Sequence, residues 1–472
     1  MMSTETAVKK FGFIDKLGYM FGDFGNDFTF ILSTTFLLKF YTDVMGVSAA
    51  IVGLMMMVAR IVDAFTDITM GQIVDRCRPT SKGKFAPWIL RMCGPVALAS
   101  FLMYAVWFQD AAMGFKIFWM FFTYLLWGSI FYTSINIPYG SMASAITPEP
   151  KERAQLSSWR TIGATLAQTV IGVVLPLVVY YKNDAGKTVL SGESMMWAAL
   201  VCSILAIVCY LLCYKMTTER VKVKQETEKF SLKEFGKELA HNRSLIGIVV
   251  CALFLLLAQL SLGNMLAYIF PNYFDNAAGQ SIATMSATIV TLVCATFAVA
   301  VGVRIGKKEL GMIGAGIGAV ALIVAYFLQT TNMYVFIAFY ALAYVGLALF
   351  SLICWAMITD VIDDTEVKTG KRTDGAIYSV YSFARKMGQA CSSGLSGLLL
   401  SIVGYSTATA FDPGVLKGIY DITCIVPAVG FILLLLALKF LYPLGKKQVE
   451  NNAEILRKRH DEKVAAENSE QS

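Results

Sequence analysis

The sequence predicts an all-α integral membrane protein, with twelve transmembrane helices arranged as two six-helix bundles. Three observations predict it. Hydrophobic residues make up 56% of the 472 residues and charged ones 15%, with a mean hydropathy of +0.60. Soluble domains carry about 25% charged residues, so a chain this apolar cannot cover its own surface with polar groups, which excludes an ordinary soluble enzyme. Long apolar stretches recur along the chain, and at about 20 residues per crossing they accommodate about twelve helices. The only long polar insert before the tail, TTERVKVKQETEKFSLKEFGKELAHNR, follows the sixth stretch and divides the chain in two.

Taken in order, the spans fall at 15–42, 47–74, 86–108, 114–146, 155–180, 194–216, 244–271, 281–303, 309–329, 333–359, 374–405 and 417–442. The opening MMSTETAVKKFGFIDKLGY lacks an apolar core ending in a cleavage site, so the first span is expected to be retained. The fourth and eleventh stretches are long for simple crossings, and part of each is expected at the membrane interface. Residues 1–216 then form an N-terminal bundle, 217–243 a cytoplasmic linker, 244–445 a C-terminal bundle and 446–472 a cytoplasmic tail. The linker reads as a plain connector, or its FSLKEFGKEL portion as a short surface helix. The polar tail is expected to be partly disordered. Short basic turns, GQIVDRCRPTSKGK after the second span and VGVRIGKK after the eighth, echo one another as a repeat transporter requires.

Lysine and arginine concentrate in one set of loops: Lys9, Lys10 and Lys16, Arg76 to Lys84, Lys151 and Arg153, Lys215 to Arg243, Arg304 to Lys308, and Lys368 to Arg372. The opposite loops hold chiefly Lys116, Lys182, Lys187 and Lys417. The asymmetry puts both termini on the cytoplasmic side of a cell membrane. It also explains the net charge of +7 as topology and anionic-lipid contact, not nucleic-acid binding. The two histidines, His241 and His460, lie outside the apolar runs, and the ten cysteines show no metal-ligand spacing. Cys209 and Cys213 share a helix face, where packing is the expected role. No nucleophile–base pair or phosphate-binding loop is present, so there are no candidate catalytic residues and no cofactor.

Charges inside the spans carry the functional signal, because each costs at least about 2.5–3.5 kcal/mol near the bilayer centre. Span one carries Asp23 and Asp27, the latter about 18 Å along the helix. Gly18, Gly22 and Gly25 beside them leave room for close packing. Span two carries Arg60, Asp63 and Asp67 on one face. Two acids against one base leave a negative charge that favours a proton or a sodium-sized ion, the alternative being an inert network that ties helices together. Arg160 lies on span five, and Arg385 and Lys386 on span eleven. Arg160 and Lys386 are expected to meet Asp27 or an anionic substrate, whereas Arg385 can snorkel or pair with a carboxylate. Tyr132, Tyr139, Trp159, Trp355, Tyr378 and Tyr381 are interleaved with these charges. Aromatic plates beside carboxylate and guanidinium groups suit a sugar, which has an apolar face and a hydroxyl rim. After span two, Gly71-x-x-x-Asp75-Arg76 reads as a cytoplasmic gate, Asp75 approaching a helix N-terminus and Arg76 pairing with an acid opposite.

The segments FGDFGNDF, FYTDVMGVSAAIVGLMMMVARIVDAFTD, GKFAPWIL, NIPYGSM, ITDVIDDTEVKTGKR and YSVYSFARKMGQA resemble the glycoside–pentoside–hexuronide:cation symporters. That family is the melibiose-carrier branch of the major facilitator superfamily, and the similarity runs from about residue 12 to 445, closest to glucuronide and pentoside carriers. The Gly71–Arg76 pattern also matches, loosely, the major-facilitator gate. The resemblance implies that Asp63 and Asp67 bind the coupling cation, with a possible Na⁺ there and no other metal. It implies that Asp27 and Arg160 hold the glycoside and that Lys386 joins the charge network near both. Asn136, Tyr139 and Tyr378 complete the expected sugar set, and Arg60, Asp23 and Arg385 the charge network. Where the melibiose carrier has a lysine, an aspartate and a tryptophan, this chain has Asn26, Asn136 and Gly140. The lost carboxylate makes H⁺ coupling as plausible as Na⁺, and the lost tryptophan argues against melibiose as substrate. The expected function is secondary import of a glycoside, pentoside or hexuronide with H⁺ or Na⁺ by alternating access, with the lipid bilayer and the sugar as partners and no obligate protein partner. The rivals are a carrier of a lipid or drug on the same fold, a membrane sugar sensor, and a membrane enzyme, the last without supporting residues.

Overall fold

The computed structural model describes residues 10–221, 242–370 and 374–470. The chain is all-α apart from one hairpin. Its helices are α1 (Phe13–Asp43), α2 (Ala49–Arg76), α3 (Ala86–Leu102), α4 (Met113–Ile146), α5 (Pro150–Val179) and α6 (Gly192–Met216). After the polar insert come α7 (Arg243–Tyr273), α8 (Ala278–Ile305), α9 (Lys307–Leu328), α10 (Met333–Thr369), α11 (Asp374–Ile402), α12 (Pro413–Leu441) and a tail helix, α13 (Lys446–Glu470). Among the described residues ten helices, α2 to α10 and α12, are long and apolar enough to cross a membrane. Helices α1 and α11, of 31 and 29 residues, complete the twelve expected. They fall short in apolarity because they carry Asp23, Asp27 and Lys39, and Arg385 and Lys386, respectively.

The chain forms two compact units. The first comprises Met1–Lys229, Ala267–Met285 and Gly394–Leu416. Within it α1 runs between α5 and α6, and glycines allow the approach. A Cβ at Gly22 would collide with the Tyr139 ring of α4, and one at Gly25 would lie 3.2 Å from the Cys209 Cβ of α6. The buried Cys209 and Cys213 are thiols packed against this glycine face. The second unit comprises Phe230–Leu266, Ser286–Ser393 and Lys417–Ser472. There α9 and α10 meet at Gly314 and Gly346, whose missing side chains let backbone touch backbone.

Four features differ from the sequence expectation. Residues 180–190 form a hairpin, β1 (Tyr180–Lys182) pairing antiparallel with β2 (Thr188–Leu190), closed by an Asn183–Gly186 turn. Helix α5 starts earlier, at Pro150, because proline suits the first turn, where an N–H is not needed. Helix α10 continues well past residue 359, and side chains from neighbouring helices meet the acids beyond that point. Asp360 pairs with Lys307 at 2.6 Å, and Asp364, 1% exposed, accepts from Ser244 at 2.6 Å. The tail, expected to be partly disordered, forms α13. Its buried Asn452 donates to Asp364 at 3.1 Å, and Arg459 donates to the last carbonyls of α10. The FSLKEFGKEL portion of the linker lies outside the described residues.

Candidate functional site

The site in the first unit is built where α1, α2, α4 and α5 bring charges into an apolar bundle. On α2, Arg60, Asp63 and Asp67 fall on one face, as the spacing predicts. Arg60 and Asp63 are 6% and 5% exposed, and Arg60 Nη1 lies 3.3 Å from Asp63 Oδ2. What faces them is set by α4, whose helix widens into a π-helical turn over Leu126–Tyr132. The extra residue re-aims the side chains that follow, a distortion common at functional sites. Ser129 donates to Asp63 Oδ1 at 2.6 Å and Thr133 donates to Asp67 Oδ1 at 2.9 Å. Thr133 also lies 3.2 Å from the Gly128 carbonyl. Two carboxylates, two hydroxyls and a carbonyl form a set of hard oxygen ligands suited to a proton or an alkali-metal ion. Among the described residues no cluster of three His, Cys, Asp or Glu side chains is arranged to hold a metal.

The second group lies on α1, α4, α5 and α6. Arg160, expected to meet Asp27 or an anionic substrate, pairs with Asp23, one turn before Asp27, Nε to Oδ1 at 2.9 Å. Asp23 is the better partner because its side chain is 8% exposed, and a charge so buried needs a counter-ion. The Arg160 side chain is 43% exposed, and Nε is the atom that meets Asp23. Half-buried Asp27 makes no hydrogen bond or ion pair among the described residues, which leaves its oxygens available as acceptors. Tyr139 is buried, stacked on Tyr19 at 4.6 Å and hydrogen-bonded to its carbonyl, with the Arg160 guanidinium 5.6 Å from its ring centroid. It backs Arg160 and presents no open ring. Asn136 accepts from Asn26 at 3.4 Å, and Asn26 accepts from Tyr210 of α6 at 2.8 Å.

Aromatic rings join the two groups. Phe30 lies one helical turn past Asp27 on α1, and the Arg60 guanidinium sits 4.8 Å from its centroid. Phe30 also stacks on Tyr132, 5.8 Å between centroids, and Tyr132 directly precedes Thr133, the donor to Asp67.

Two polar clusters of this unit escape the sequence reading. Lys39, 1% exposed near the end of α1, contacts Asp43 at 2.8 Å, Asn272 at 2.5 Å and Tyr405 at 2.7 Å, with the Tyr268 ring centroid 4.5 Å away. Its signal in the sequence is the i, i+4 pairing of Lys39 with Asp43. Glu219, just after α6, accepts from the backbone N–H groups of Lys84, Phe85 and Ala86 at 2.7, 2.9 and 2.7 Å. Gly83, at φ +116°, leaves the room for that carboxylate, which a Cβ would strike. The N-terminus of α3 therefore holds Glu219, and Asp75 pairs with Lys84 at 3.5 Å. A Cβ at Gly71 would meet nothing within 4 Å, and Arg76 is exposed. Arg220, next to Glu219, pairs with Asp15 at 2.9 Å.

The remaining expected residues belong to the second unit. Lys386 is half-buried on α11, and Tyr378 is 41% exposed on the same helix. Arg385 lies 5.6 Å from the Trp355 ring centroid of α10 and makes no ion pair among the described residues.

Long apolar helices that hold paired charges in their interior are the make-up of a polytopic membrane protein, and the fold matches that of known carriers. In fold the chain is similar to a solved structure, a mutant of the nucleoside transporter NupG, with a TM-score of 0.64 at 13% identity, covering 91% of this chain and 100% of that one. The model of the MFS/sugar transport protein family matches residues 18–446. The chain belongs to this family, the glycoside–pentoside–hexuronide symporters, and is a carrier, not an enzyme. The glucuronide carrier protein homolog of Escherichia coli (strain K12) is 32% identical over 92% of this chain and 93% of its own length. The isoprimeverose transporter of Lactiplantibacillus pentosus is 30% identical over 96% of this chain and 93% of its own.

Proposed function

We propose that this protein imports a glycoside, pentoside or hexuronide together with H⁺ or Na⁺. The observation that carries the reading is the oxygen-lined array of Asp63, Asp67, Ser129 and Thr133, joined through Arg60 and Phe30 to the turn of α1 that holds Asp27. Asp63 and Asp67 take the cation. Asp27 offers its oxygens to sugar hydroxyls, Arg160 offers its terminal nitrogens to hydroxyls or a carboxylate, and Asn136 lies beside them. Asp23 and Tyr139 hold Arg160 in place, and Lys386 and Tyr378 contribute from α11. Relatives named for glucuronide and isoprimeverose frame the substrate class, one acidic and one neutral. The residues 1–216 and 244–445 act as the two bundles that alternate access, with both termini in the cytoplasm and the carrier in the cell membrane. Gly71, Asp75 and Arg76 belong to the cytoplasmic gate.

Coupling is then a linkage free energy: cation at Asp63 and Asp67 fixes Arg60, Arg60 fixes Phe30, and Phe30 orders the Asp27 turn. The test is counterflow in proteoliposomes with a panel of glycosides, with and without sodium, at two pH values. Asp63→Asn and Asp67→Asn are expected to lose uphill accumulation while downhill exchange survives. Full cation-driven accumulation in both variants would remove the assignment.

A further inference from the structure

The second unit carries an exposed aromatic face of which the proposed function uses only Tyr378. On α10, Trp355 is 50% exposed, with Ser351 and Thr359 one turn to either side. On α11, Tyr378, Ser382, Arg385 and Gln389 recur at helical spacing along one face, none of them buried. A row of polar residues that includes a guanidinium is too costly to set against lipid, about 2.5–3.5 kcal/mol for an arginine at the bilayer centre. This face therefore borders water.

Its rings are held in a fixed arrangement. Trp355 and Tyr378 lie 23° from parallel with centroids 6.4 Å apart. Behind them the buried Tyr381 meets Trp355 edge-on at 5.3 Å, and its hydroxyl is within 3.0 Å of the Cys354 thiol. Arg385 lies against the indole, 5.6 Å from its centroid, with Nη1 3.5 Å from the Tyr381 hydroxyl. No carboxylate among the described residues forms an ion pair with it.

We propose that Trp355 is a stacking platform for the ring of the transported glycoside, with Tyr378 beside it and Arg385 as the polar contact at its edge. The inference rests on the sugar-carrier reading and adds a residue to it. A sugar ring turns its C–H groups to the open indole surface while its hydroxyls, or an acid group on the ring, accept from Arg385. An exposed indole held rigid from behind makes this contact at little cost in side-chain entropy.

The test uses the full-length protein in proteoliposomes, with methyl β-xyloside and methyl β-glucuronide as probes. Trp355→Ala is expected to raise the KM for counterflow roughly tenfold at near-constant maximal rate, and Trp355→Tyr to restore most of the affinity. Trp355→Ala with a wild-type KM for every transported probe overturns the platform while leaving the sugar reading intact. Wild-type protein that exchanges neither these probes nor any other glycoside overturns both. Fluorescence supplies an arm that needs no functional variant. Transported sugar should protect wild-type protein from acrylamide quenching, and the difference should vanish in Trp355→Phe. Equal protection in wild type and Trp355→Phe counts against the platform even where Trp355→Ala fails to fold.

Discussion

Asp63 and Asp27 are both acids in a membrane bundle, yet their surroundings give them opposite mutational signatures. Asp63 is buried against Arg60 and Ser129, so removing one partner strands a charge. Arg60→Leu is expected to destabilise the protein by about 3–5 kcal/mol, as for other broken buried pairs. The Arg60→Leu/Asp63→Leu double variant should recover much of that loss, read as apparent Tm in detergent, though without cation coupling. Asp27 has no such partner, and Asp27→Asn is expected to leave Tm unchanged while raising the KM for glycoside counterflow. A large fall in its Tm would show that Asp27 is structural. The sequence exposed all three residues, because any charge in an apolar run is conspicuous. It could not assign Arg160 to Asp23 over Asp27: both acids lie on the same helix one turn apart, and only burial distinguishes them.

At the scale of elements, two connections carry polar contacts that helix periodicity does not reveal. The end of α1 is joined through Lys39 to Asn272 at the end of α7 and to Tyr405 beyond α11. Asn272 in turn donates to the Ala410 carbonyl at 3.3 Å. Lys39→Met leaves Asp43 without its ammonium partner, and labelling of a cysteine placed at the buried Ala410 is expected to rise. Unchanged labelling would show that packing alone shields Ala410. The β1–β2 hairpin is tied to the corner between α7 and α8 by Asp275, which accepts from the Thr188 N–H at 2.7 Å and pairs with Lys182 at 3.2 Å. Burial would raise the Asp275 carboxyl, but hydrogen bonds from Thr188 and the charge of Lys182 outweigh it and hold the group below its usual range. A carboxylate depressed in the folded state stabilises above its unfolded pKa of about 3.9 and loses that contribution as pH falls through the folded value. Hydrogen-exchange protection at the Thr188 amide, taken relative to the intrinsic rate at each pH, should therefore persist near neutrality and fall only below about pH 4. Loss of protection near pH 6 would implicate another group.

For the whole molecule, the expected behaviour is reciprocal linkage. If the cation tightens sugar binding by a given factor, the sugar must tighten cation binding by the same factor. Calorimetric titration of each ligand with and without the other checks this, and unequal factors would exclude a closed two-ligand cycle. Composition and apolar run length dictated the membrane and the twelve long helices, because hydrocarbon admits so few ways to satisfy a backbone. The charges that interrupt α1, α2, α5 and α11 were legible for the same reason. Partnership was not. The π-helical turn that brings Ser129 to Asp63, the choice of Asp23 by Arg160, the buried anchor at Lys39 and the seating of Glu219 on α3 depend on which surfaces meet. Contacts between residues far apart in the chain are fixed by packing and desolvation, which a linear pattern does not encode.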